Sequence, residues 1–155
     1  MKNFLKIAVA VFILHGLGHF LLGSRLELPS DTVHFYSPAA VSLLKGEGYQ
    51  VNGVFSARYP PVYPLFIAAI YGLTHHAGTD NIFYPWFVIL LQSLSCALLY
   101  LIALKLFEKK TALWSAILFA TYPFFAVLSM TRYVWTAMPV FTVLFYAAIY
   151  FFLWA

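Results

Sequence analysis

Long apolar stretches separated by short polar ones set the pattern of this chain. A helix needs about 20 predominantly apolar residues to cross a bilayer. Residues 82–106, 111–131 and 134–155 meet that length, and Lys105 is the one charged residue in the three. Residues 4–23 make a fourth span if Lys6 snorkels to the interface. Lys2 and Lys6 ahead of Ile7–Leu14 also resemble the start of a secretory signal. The apolar run continues through Leu22 with no small-x-small site behind it, which favours an uncleaved first helix over a cleaved leader.

The stretch 59–79 is uncharged, but Pro60, Pro61 and Pro64 crowd its start and His75-His76 mark its end. Its unbroken apolar core, Leu65–Leu73, is short for a span, and such runs more often lie at the interface or re-enter. Cation placement separates the two topologies. If 59–79 does not cross, Lys2, Lys6, Lys105, Lys109 and Lys110 are cytoplasmic, five against the three that the other topology leaves inside. The positive-inside rule therefore predicts four spans and an outside loop over 24–81. Within that loop Pro38–Leu44 reads as a short helix, with Ala39, Ala40, Leu43 and Leu44 at helical spacing and Gly46 and Gly48 ending it. Pro64–Leu73 reads as a second interfacial helix.

Composition sharpens the class. The chain is 63% hydrophobic and 9% charged, with a mean hydropathy of +0.86. A soluble domain carries about 25% charged residues. These values exclude a soluble globular domain, a disordered chain and a charge-driven nucleic-acid binder, and they leave the lipid bilayer as a partner. The expected fold is all-α: a polytopic membrane helix bundle of about four spans in a single domain over 1–155, with short interfacial helices in the first outside loop. Cys96 stands alone in an apolar run and reads as a buried thiol.

The outside loop holds most of the chemistry: Asp31, His34, Tyr36, Glu47, Arg58, Tyr59 and Tyr63. Asp31 is either a helix cap or a carboxylate that acts as a base or binds a divalent cation. Arg58 precedes Tyr59-Pro60-Pro61. It is either a headgroup anchor or a bidentate phosphate clamp aimed by the rigid prolines. His15 and His19 share a face of the first helix, as a haem-ligating pair or as hydrogen-bonded interior residues. Gly16 and Gly18 between them allow a neighbouring helix to approach closely. Arg132, Lys105, Lys109 and Lys110 read as anchors and topology charges.

The ordered set Asp31-Thr-Val-His-Phe-Tyr36, Ala39-Ala40, Leu43-Leu44, Gly46-Glu-Gly48-Tyr49 and Arg58-Tyr-Pro-Pro-Val-Tyr-Pro-Leu65 resembles the start of GT-C-fold membrane glycosyltransferases. The nearest branch is the bacterial lipopolysaccharide-core and protein-mannosyltransferase-like enzymes. Leu91-Gln92-Ser93 and Leu104–Phe107 are similar to the family's next helix and cytoplasmic turn. The resemblance implies transfer of a sugar from a polyprenyl-phosphate donor to a glycan, lipid or protein acceptor, on the outer face of the bacterial cytoplasmic membrane. It implies Asp31 as the catalytic acid or base, with a divalent cation as candidate cofactor. Arg58, Tyr36, Tyr59 and Tyr63 fall at substrate-binding positions. Many relatives carry a second acid in the next outside loop; Met130–Ala137 contains none. That departure keeps open a non-catalytic membrane protein, and the histidine pair keeps open a haem- or quinone-binding one. The last span runs apolar to Ala155 with no polar flank, so the 155 residues are expected to be the N-terminal portion of a larger enzyme and inactive alone.

Overall fold

The computed structural model describes residues 2–22, 31–55, 60–130 and 136–154. Arg25, Arg58, Tyr59 and Arg132 lie outside the described residues. The chain is mostly helical: α1 (Lys2–Leu22), a π-helical turn (Thr32–Tyr36), α2 (Ser37–Leu44), β1 (Gln50–Val51), β2 (Val54–Phe55), α3 (Val62–Thr74), α4 (Tyr84–Leu106), α5 (Lys109–Thr121), α6 (Pro123–Met130) and α7 (Met138–Phe152). It divides into two compact units, Leu28–Phe87 and, discontinuously, Met1–Glu27 with Val88–Ala155.

Two helices, α1 over Asn3–Leu22 and α4 over Tyr84–Leu106, are long and apolar enough to cross a membrane. The continuous helix expected over 111–131 is instead two. Pro123 has no N–H to give to the helix ladder and pushes the residue before it out of helical geometry. Tyr122 accordingly sits at ψ 121°, and α5 ends there. The helix expected over 134–155 is shorter than predicted: α7 has 15 residues.

In the discontinuous unit, Val11 of α1, Cys96, Tyr100 and Ala103 of α4, and Ala112, Ala116 and Ala120 of α5 form one apolar cluster. The alanines on α5 recur every four residues, so they make one small-residue face that lets helices approach closely. Cys96 donates its thiol hydrogen to the Ala116 carbonyl at 3.2 Å. His15 Nε2 lies 2.9 Å from the Ala120 carbonyl, and Asn3 Nδ2 donates to the Tyr100 hydroxyl at 3.3 Å. These pairs fix directions: α1 and α5 run parallel, and α4 runs against both. Phe119 packs on Tyr146, and Lys105 Nζ lies 4.1 Å above the Trp154 ring, so α7 runs with α4. α6 packs on α1, and a Cβ at Gly18 would collide with the Met130 side chain.

The contiguous unit is built on α2 against α3. Ala39 and Ala40 are fully buried, while Leu44 is largely exposed, so the buried face is narrower than the spacing implied. Gly46 and Gly48 sit at φ +77° and +86° and end α2 in the expected place. α3 ends at His75, in the left-handed region at φ +53°. Between α2 and α3 an antiparallel pair of two-residue strands turns through Asn52-Gly53, both at positive φ.

Candidate functional site

Asp31 lies in helical backbone at φ −62°, ψ −32°, directly before the π-helical turn, and makes no side-chain capping bond. Its side chain is exposed, whereas the next residue, Thr32, is completely buried and Phe35 nearly so. The carboxylate therefore stands on the solvent side of a turn whose other side is anchored in the unit.

A tyrosine network does the anchoring. Tyr36 meets Tyr63 edge-on at 4.8 Å between centroids. The hydroxyls of Tyr63 and Tyr84 are 2.6 Å apart, and Ser37 Oγ lies 2.9 Å from the Tyr71 hydroxyl. Burial pushes the Tyr63 phenol well above the usual tyrosine range, although its bonds to Tyr84 and Thr32 pull the other way. Burial likewise raises Tyr71 against its bond to Ser37. Both are therefore neutral hydroxyls that position their neighbours. Of the five residues singled out from sequence, the structure brings Tyr36 and Tyr63 into contact and places Asp31 at the start of the turn that carries Tyr36. Tyr36 is half-buried and Tyr63 is only 4% exposed, so Tyr36 is the one of the two with a face toward solvent.

The same unit contains an open cleft of about 450 Å³ that periodicity gave no sign of. Ser37, Ser42, Lys45, Glu47 and Asn52 supply its polar lining, and Val33 and Val41 its apolar wall. Ser42 Oγ donates to Glu47 Oε2 at 3.3 Å. Hydroxyl, ammonium, carboxylate and amide groups around a partly apolar wall suit a polyhydroxylated ligand. Two further residues emerge only from the structure. Asn81 is buried and ties the loop after α3 to α4: its amide donates to Thr74 Oγ1 at 2.8 Å and to the His76 carbonyl at 2.7 Å, and its oxygen accepts from the backbone N–H groups of Phe83 and Tyr84. In the other unit Gln92, at 2% exposure on α4, has neither end of its amide hydrogen-bonded among the described residues. A polar side chain in the middle of an apolar helix was the available signal.

The remaining candidates are accounted for locally. A carbonyl can only accept, so His15 carries its proton on Nε2, the atom facing Ala120. His76 Nε2 pairs with Asp80 Oδ1 at 3.1 Å. The hydrogen bond from His76 holds the exposed Asp80 carboxyl below its ordinary value. Among the described residues no group of three or more His, Cys, Asp or Glu side chains is placed to hold a metal ion. The chain matches no family model, no curated protein and no solved structure.

Proposed function

We propose that the chain is a multi-pass membrane glycosyltransferase that moves a sugar from a polyprenyl-phosphate donor to an acceptor at the outer face of a bacterial cytoplasmic membrane. The observation that carries this reading is Asp31: an exposed carboxylate at the start of the anchored turn that carries Tyr36. In an inverting transfer Asp31 takes the proton from the acceptor hydroxyl as that oxygen bonds to the anomeric carbon. The bond from that carbon to the phosphate oxygen breaks, and its electron pair leaves with the phosphate. Arg58 neutralises the charge that develops there. Tyr36 and Tyr59 pack against the sugar, and Tyr63 holds Tyr36 in place.

The membrane part of the proposal draws on the outer surface of α1, where Leu5, Ile13, Leu17, Phe20 and Leu21 are all more than half exposed. Contiguous apolar exposure on this scale marks contact with lipid or another protein. The alternating directions of α1, α4, α5 and α7 are those of four successive crossings. α5 and α6, with 13 and 8 residues, together supply roughly the 30 Å of a hydrocarbon core.

Transfer is measured as release of polyprenyl phosphate from a labelled donor by membranes carrying the full-length protein. Asp31→Asn should lower turnover by about 100-fold or more while donor binding and expression persist. Arg58→Lys keeps the charge but loses the planar fork, so it should weaken donor binding, and Arg58→Ala should weaken it further. Near-normal turnover by the Asn variant would reject the role of Asp31. Equal donor affinity in all three Arg58 proteins would reduce Arg58 to an anchor.

A further inference from the structure

The discontinuous unit contains a groove that the sugar-transfer reading leaves without a role. It runs between the parallel helices α1 and α5, has a volume of about 370 Å³, and is walled by Ile7, Ala10, Leu14, Leu113, Ala116 and Ile117. Its lining runs from Lys6 to Leu14 on α1 and from Leu113 to Thr121 on α5, roughly 12 Å of helix from first residue to last. Lys6 stands at one end. There the groove meets a second recess of about 250 Å³, lined by Asn3, Lys6, Tyr100 and Lys109 and sharing Ile7 and Leu113 with the first. Both lysines are exposed, and among the described residues neither ammonium is paired with a carboxylate. Lys105 and Lys110 lie at the same helix ends, against one acid, Glu108.

We propose that this composite site binds an anionic phospholipid of the bilayer, with the phosphate between Lys6 and Lys109 and one acyl chain in the groove between α1 and α5. The inference rests on α1 and α5 lying in a membrane and does not depend on glycosyl transfer. Three observations select this occupant. The groove is apolar along its length and cationic only at the end where α1 and α5 begin, which is the distribution of a lipid's tail and headgroup. Its volume of about 370 Å³ is spread along roughly 12 Å of helix, which is room for an extended hydrocarbon chain. The recess also offers neutral polar groups, the Asn3 amide and the Tyr100 hydroxyl, beside the two ammonium groups, as esters and a phosphate require. By the cation count this end faces the cytoplasm, where anionic lipids attract basic clusters.

The test uses the full chain in nanodiscs of equal parts phosphatidylglycerol and phosphatidylcholine, with retained lipids identified by native mass spectrometry. Insertion is checked first in pure phosphatidylcholine vesicles by flotation after an alkaline wash. The wild-type protein should float and should then retain phosphatidylglycerol over phosphatidylcholine. Lys6→Gln and Lys109→Gln should each cut that preference about five-fold. Ala10→Phe fills the groove without touching the charges and should lower retention of both lipids. Lys45→Gln, a cation of the other unit, should change nothing. Failure to float would overturn the membrane placement itself. Flotation with equal retention of the two lipids would overturn the anionic site alone. Unaltered retention in Ala10→Phe, or a lipid-free dimer, would show that the groove is not a lipid seat.

Discussion

Asn81 does four things with one side chain, and each has a different chemical requirement. Its oxygen caps α4, and its nitrogen closes the loop back onto Thr74 and His76. Asn81→Asp keeps the capping oxygen and loses both donors; Asn81→Ala loses everything. Thermal unfolding should therefore rank wild type above Asp above Ala. The loss of buried, partnered groups in the Ala variant is worth about 1–3 kcal/mol per orphaned partner. Nearby, His76 holds Asp80 in its charged form. Because the carboxyl is depressed in the folded state, its contribution is present above its ordinary value of 3.8 and disappears as pH falls through the lower folded value. Protonation of Asp80, followed by NMR, should have its midpoint below that of Asp80 in His76→Ala. Coincident midpoints would remove the His76 contact as the cause. Neither Asn81 nor the Asp80 pair was legible from sequence, since both roles depend on where the chain returns after α3. Asp31 was legible as a residue but not in its geometry: a good capping type here has helical backbone rather than the extended backbone of a cap.

The helices show where periodicity succeeds and where it is overruled. α2 and α3 were readable from alanine and leucine spacing and from the glycines and histidines that stop them. The hairpin was missed even though Asn52-Gly53 is a strong turn signal, because two-residue strands are too short to show alternation. The break at Tyr122 was hidden inside an uncharged run that read as one span, and a single proline decided it. Pro123→Ala restores the missing donor and relieves Tyr122, so α5 and α6 should join. Spin labels at Leu113 and Val127 should then report a longer separation than in wild type, and an unchanged separation would assign the break to packing instead. Gly18 offers the opposite experiment. Gly18→Ala gains about 1 kcal/mol of helix propensity against a shift of the flexible Met130 end, and should be near neutral in thermal stability. Gly18→Leu overpacks the α1–α6 contact and should cost about 1–3 kcal/mol.

At the scale of the whole molecule, the proposed membrane reading makes a claim about sidedness that labelling can test. In a Cys96→Ala background, single cysteines at Glu47 and Lys109 should label from opposite sides of the membrane. Labelling of both from the outside would instead make α3 a crossing helix. The division into two units has a consequence for synthesis. The segment Leu28–Phe87 is contiguous, so α2, the hairpin and α3 find their partners as soon as they leave the ribosome. α1 emerges earlier but packs with residues beyond Val88. α1 is therefore made before its partners, and it must wait in an unassembled state while the intervening unit is translated.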